Sequence, residues 1–119
     1  MASIDMDAFA ADWIAAWNSH DLNRIIAHYG SDIVFLSPIA EKLMGNGKVA
    51  GLDRLRRYWT AGLASQTDLK FELLHVLRGH ECLTILYRNH KQQIVAETLE
   101  FDGDGKIQRA FACYQLEQG

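Results

Sequence analysis

Apolar positions along the chain follow a helical period in the first half and a two-residue period in the second. From about Ile4 to Trp17, the residues Phe9, Trp13, Ala16 and Trp17 recur at helical spacing, and Ser3, Asp5 and Asp7 suit the start of that helix. Asn18-Ser19-His20 breaks the pattern. Asp21 can cap a second, shorter helix with Leu22, Ile25, Ile26 and Tyr29 along one face, stopping at Gly30. Ile33 to Leu36 reads as a short buried strand ended by Ser37-Pro38. The stretch from Ile39 to Gly51 has neither period and reads as irregular. A third helix is expected from about Leu52 to Leu63, with Leu55, Trp59 and Leu63 inward. On it, Asp53 is one turn from Arg57, a pairing worth ~0.3 kcal/mol.

After Gln66-Thr67 come four segments of strand pattern, roughly 69–78, 82–90, 92–101 and 106–116. The connections are Gly79-His80, Asn89 to Lys91, and Asp102-Gly103-Asp104-Gly105, short enough to make antiparallel neighbours. Helices gathered first and strands last predict an α+β fold with three helices on one face of the sheet, the face where a pocket would lie.

The chain has 119 residues, 49% hydrophobic and 23% charged, which predicts one globular domain spanning 1–119. Its net charge of −3 argues against a nucleic-acid or anionic-membrane partner, because phosphate binding needs clustered positive charge. The densest basic run, Arg54, Arg56 and Arg57, reads as the wet face of a helix. No segment has the pattern of a signal peptide or the ~18 apolar residues of a membrane helix. Cys82 and Cys113 are far apart with no Cys-x-x-Cys spacing; they read as small strand residues in a reduced, cytoplasmic setting.

Strand alternation singles out Glu97. Val95, Glu97, Leu99 and Phe101 share one face, so a carboxyl lies among three apolar residues on the inward side. Burial there costs several kcal/mol unless the group is paired or neutral, and it raises the pKa. Such an acid can donate to a ligand carbonyl or move a proton; the alternative is a structural pair with Arg88, Arg109 or a tyrosine. Trp13, Trp17, Tyr29, Phe35, Trp59, Tyr87 and Tyr114 fall on inward faces, as core or as pocket walls, and Asn89 shares the face of Tyr87. His75 shares a face with Phe71, Leu73 and Leu77, which predicts a buried imidazole. His20, His28, His80 and His90 fall near turns or helix surfaces.

No pair of histidines has zinc-site spacing, so no metal is expected. Gly45 to Gly51 is not a dinucleotide fingerprint, and Asp102 to Gly105 is a hairpin turn rather than a calcium loop. Nucleophile motifs are absent.

Trp17-Asn18-Ser19-His20-Asp21-Leu22, Tyr29 to Phe35, Ser37-Pro38, Gly51 to Trp59, and Phe101 to Ile107 together resemble SnoaL-like proteins of the nuclear transport factor 2-like superfamily. The resemblance spans nearly the whole chain. It implies a cone-shaped α+β barrel, with helices on a strongly bent, mostly antiparallel sheet, commonly a homodimer. The fold hosts isomerases, cyclases, hydrolases, dehydratases and non-catalytic members, so it does not name an activity.

Against ketosteroid isomerases, Glu97 falls where those enzymes carry a protonated Asp that hydrogen-bonds the substrate oxygen, a system familiar as a case of pKa tuning. Tyr29 matches a supporting tyrosine, Trp59 and Tyr114 pocket aromatics. The general-base Asp is replaced by Ser37 and the oxyanion tyrosine by Trp13. A serine hydroxyl does not ionise usefully at neutral pH without its own base, which argues against steroid isomerisation by that mechanism. SnoaL-type cyclases depend on a pocket acid and a histidine; Glu97 fits the acid, with His75 and His90 the candidates for the histidine. The Asp-Arg-Asp set of epoxide hydrolases is not evident.

Two functions follow as expectations. The first is a cofactor-independent isomerase or cyclase acting on a hydrophobic, carbonyl-bearing small molecule, with Glu97 as the acid. Its ligand would be lined by Trp13, Trp17, Tyr29, Phe35, Ser37, Trp59, Tyr87, Asn89 and Tyr114. The second is a binding module that holds such a ligand without turning it over. In either case Ile94, Phe111 and Cys113 on the outer sheet face offer apolar surface for a homodimer.

Overall fold

A computed structural model describes residues 4–116. Ser3, expected at the first helix start, lies outside them. Helix α1 spans Met6–Ser19; Asp5 caps it by accepting from the Ala8 amide at 3.1 Å, and His20 closes it in the left-handed conformation at φ 61°. Helix α2 is only Leu22–Ile26, capped by Asp21 as expected. It ends a turn earlier than its apolar stripe suggested, because Tyr29 already belongs to strand β1, Tyr29–Leu36. That strand is twice the expected length; its outer half, with exposed Ser31 and Asp32, carries no apolar alternation and is followed by a register shift.

The segment read as irregular holds two elements. Helix α3, Pro38–Met44, starts with Ser37 as cap and Pro38 at its first position and stops at Gly45, φ 76°. Ser-Pro ends a strand and begins a helix with equal ease, so the stop signal was also a start signal. Strand β2, Lys48–Ala50, is too short to show a period. Helix α4 spans Leu52–Ser65, which makes four helices among the described residues rather than three.

The meander forms as expected: β3 Glu72–Gly79, β4 Cys82–Arg88, β5 Ile94–Phe101 and β6 Ile107–Tyr114. The sheet is six-stranded and mixed, in the order β2-β1-β6-β5-β4-β3, with β1 parallel to β6 and every other pairing antiparallel. It is not closed; β2 and β3 are free edges. At the Asp102–Gly105 turn, Asp102 Oδ1 accepts from the Asp104 and Lys106 amides at 2.8 and 3.0 Å, so this is a hairpin.

The inward face carries Leu83, Ile85, Tyr87, Val95, Glu97, Leu99, Ala110 and Ala112, all buried beneath the helices. From the helices, Trp13, Ile14 and Trp17 of α1, Ile25 of α2 and Leu55 and Trp59 of α4 complete the core. The alternation expected on β3 does not hold. A bulge between Leu73 and His75 reverses the phase, so Leu74 and Val76 turn inward and Leu73, His75 and Leu77 are exposed. His75 is therefore a surface residue.

Candidate functional site

Between α4, the inner sheet face and the β4–β5 hairpin lies a cavity of about 810 Å³. Size and lining suit a small organic ligand. Glu97, Trp17, Trp59, Tyr87, Asn89 and Tyr114 line it, as their inward positions predicted. Trp13, Tyr29, Phe35 and Ser37 do not; they stand behind the wall. Trp13 Nε1 donates to the Tyr29 hydroxyl at 3.0 Å, tying helix α1 to β1. Phe35 packs edge-on to Trp59 at 5.4 Å. The Ser37 hydroxyl accepts from the Ile39 amide at 3.1 Å, the bond that caps α3. Phe71, noted in the sequence only as sharing a strand face with His75, stacks on Tyr87 at 4.2 Å and forms part of the wall.

Glu97 is 5% exposed. Its Oε1 accepts a long bond, 3.4 Å, from the Tyr87 hydroxyl, and no other side chain among the described residues bonds to the carboxyl. The arginines named as alternative partners pair elsewhere: Arg88 with Glu72 and Arg109 with Glu100, each at 3.7 Å. Desolvation pushes the Glu97 pKa up to about 8, offset in part by the Tyr87 bond. The neutral acid is therefore the favoured form at pH 7. Tyr29, Tyr87 and Tyr114 are all held well above the usual phenol range, by burial first and then by the nearness of Glu97. Three un-ionised phenols thus surround one un-ionised carboxyl. Trp17 Nε1 is buried without a hydrogen-bond partner, although the Tyr29 oxygen is nearby.

Asn89 lines the cavity, but its amide is largely occupied. Oδ1 accepts from the Lys91 and Gln93 amides, both at 3.0 Å, and Nδ2 donates to Gln93 Oε1 at 3.1 Å. These bonds shape the hairpin tip and leave one Nδ2 proton without a partner among them. His90 on that tip also lines the cavity, with a side chain 10% exposed, Nε2 3.8 Å from Asp68, and a buried, unpartnered Nδ1. Gln93 is four residues from Glu97, about 13 Å along the strand, so His90 belongs to the mouth and Glu97 to the floor. The expected Asp53–Arg57 pair is not formed among the described residues. Arg54 and Arg57, read as a wet helix face, are exposed as expected and also line the mouth. Among the described residues no three His, Cys, Asp or Glu side chains gather closely enough to hold a metal ion. No helix among them is long and apolar enough to cross a membrane.

The family model described as "SnoaL-like domain" matches residues 10–119. The chain belongs to this family. A SnoaL-like protein of unknown function from Burkholderia thailandensis is 32% identical, with a TM-score of 0.90 over 93% of this chain and 94% of that one. An NTF2-like protein of unknown function from Cytophaga hutchinsonii shares the fold at 12% identity, TM-score 0.72, over 96% and 93%. A putative polyketide cyclase from Sinorhizobium meliloti does so at 14% identity, TM-score 0.75, over 95% and 100%. No curated protein matches this SnoaL-like domain.

Proposed function

We propose that this SnoaL-like domain is a cofactor-independent proton-transfer enzyme of the isomerase or cyclase type, acting on a hydrophobic, carbonyl-bearing small molecule. One observation carries the reading: a buried carboxyl, Glu97, at the floor of the cavity among Trp17, Trp59, Phe71, Tyr87 and Tyr114, with burial pushing its pKa up to about 8. With Tyr87 donating to Oε1, the acid proton belongs on Oε2, where it is available to a ligand carbonyl oxygen. Donation there stabilises the negative charge that develops on that oxygen during enolisation or ring closure, and the low-dielectric wall strengthens the effect. Among the residues lining the cavity, no ionised carboxylate stands beside Glu97 to take the carbon-bound proton, so that proton leaves to solvent or to a base on the ligand itself.

Ser37, occupied as a helix cap, favours a second reading, a binding module in which Glu97 only holds the carbonyl. The two separate in one experiment. Ketones that raise the melting temperature are incubated with protein in D₂O, and NMR follows exchange of their α-protons. Exchange with wild type that is lost in Glu97→Gln supports catalysis. Binding that Glu97→Gln weakens, with no exchange, leaves the binding module; ligand binding indifferent to Glu97→Gln rules out both.

A second copy of the chain is proposed to cover the outer sheet face, where Leu86, Ile94, Ala96 and Cys113 line a shallow apolar depression. The two free cysteines support a reducing, cytoplasmic setting.

A further inference from the structure

The mouth of the cavity has a different character from its floor. Lys48 on β2, Arg54 and Arg57 on α4, and Lys91 at the hairpin tip all line it. None of the four has a carboxylate partner among the described residues, whereas Arg24, Arg88 and Arg109 each do. Of the acids on neighbouring elements, Asp68 pairs with His90, and Glu41 and Asp53 do not line the cavity. Glu97 is the only carboxyl lining it among the described residues; it lies buried at the floor, and desolvation raises its pKa. In a chain of net charge −3, four positive side chains and, among the described residues, no ionised carboxylate line the mouth. On α4, residues 54, 57, 58, 59, 61, 62, 63 and 65 line the cavity, with both arginines in its first two turns.

We propose that the ligand is an amphipathic anion, with a carbonyl at the end that meets Glu97 and an oxyanion head, carboxylate or phosphate, held at the mouth by Arg54, Arg57, Lys48 and Lys91. The proposal rests on the reading of Glu97 as a carbonyl donor. The roughly 13 Å along β5 between the floor and the hairpin tip suits a flat bicyclic or longer body. Arginine forks match either oxyanion, and the cations draw an anion toward the opening before it enters. A nucleic acid would need such charge along a stripe of surface; here it surrounds an apolar hole.

The test is calorimetric titration of three probes with one naphthalene body: 2-acetylnaphthalene, 6-acetyl-2-naphthoate and 6-acetyl-2-naphthyl phosphate. At low salt at least one anion is expected to bind about tenfold more tightly than the neutral ketone, the sum of several exposed charge contacts. The tighter anion names the head group. High salt and the double variant Arg54→Gln/Arg57→Gln should each remove most of that advantage, which is read against the ketone in the same protein and the same salt. Both arginines are exposed, so the variant folds, and circular dichroism verifies it. Equal binding of ketone and anions, or an anion advantage that survives the double variant, overturns the proposal. Ketone binding that Glu97→Gln weakens, without any gain for the anions, overturns this proposal alone. Failure of all three probes to bind overturns the Glu97 reading with it.

Discussion

Replacing Glu97 by Gln should change how stability depends on pH, not only its level. Burial raises the carboxyl from 4.5 to about 8. At 1.36 kcal/mol per pH unit, the ionised form costs about 5 kcal/mol more in the folded chain than in the unfolded one. Below pH 4.5 the group is protonated in both states and has no effect. Between 4.5 and about 8 the unfolded chain releases the proton and the folded chain keeps it, so stability falls by about 1.4 kcal/mol per pH unit. Above 8 the penalty is complete. Gln matches the neutral acid in shape and does not titrate. The stability of Glu97→Gln minus that of wild type should therefore rise with pH by about 5 kcal/mol in all, a large fraction of the ~5–15 kcal/mol that holds a domain together. Urea unfolding of both proteins at each pH unit from 5 to 9 measures it, and the other titrating groups cancel in the difference. A difference that stays flat across that range would mean Glu97 ionises normally inside the fold, and the neutral-donor chemistry would fall with it.

Asn89→Ala should cost ~1–3 kcal/mol in urea unfolding, because the hairpin amides of Lys91 and Gln93 lose their acceptor, while ligand affinity changes little. Equal stability would show that the turn does not need it. Ile94→Lys places a charge on the outer sheet face; light scattering should show dimer for the wild type and monomer for the variant, and a wild-type monomer would end the dimer proposal. Asp12→Asn removes the 2.7 Å contact to His28 that chiefly holds the Asp12 carboxyl below its usual range. A group depressed in the fold stabilises above its unfolded pKa of 3.8 and loses that contribution as pH falls. The variant should accordingly lose under ~1 kcal/mol at pH 7, Asp12 being well exposed, and nothing once the pH is far enough below 3.8 to protonate the carboxyl; a loss that persisted at about pH 2 would contradict the assignment.

Glu97 was legible because β5 alternates without interruption from Val95 to Phe101, so one polar residue in an apolar row stands out. The same logic failed on β3, where a bulge that no residue announces turned His75 out to solvent. α3 and β2 are held by a cap, a terminal glycine and three ladder positions, none of which produces periodicity. The mouth of the cavity was invisible for that reason. Periodicity shows which side of α4 is apolar, but not that Arg54 and Arg57 look across a gap toward β2 and the hairpin tip. Trp13, Tyr29 and Phe35 were placed on inward faces, yet a buried face does not distinguish a wall from the masonry behind it.

The floor and the mouth are made of different kinds of chain. Glu97 and its tyrosines are embedded in long strands where each residue is also a ladder partner and a core contact, so a change there disturbs folding. Lys48, Arg54, Arg57 and Lys91 come from a short strand, an exposed helix stripe and a hairpin tip, and their side chains are exposed. Descendants of such a sequence can exchange those four residues and take up new ligands while inheriting the acid unchanged. For a laboratory library, the same division marks out a small set of positions to randomise on a chassis left alone.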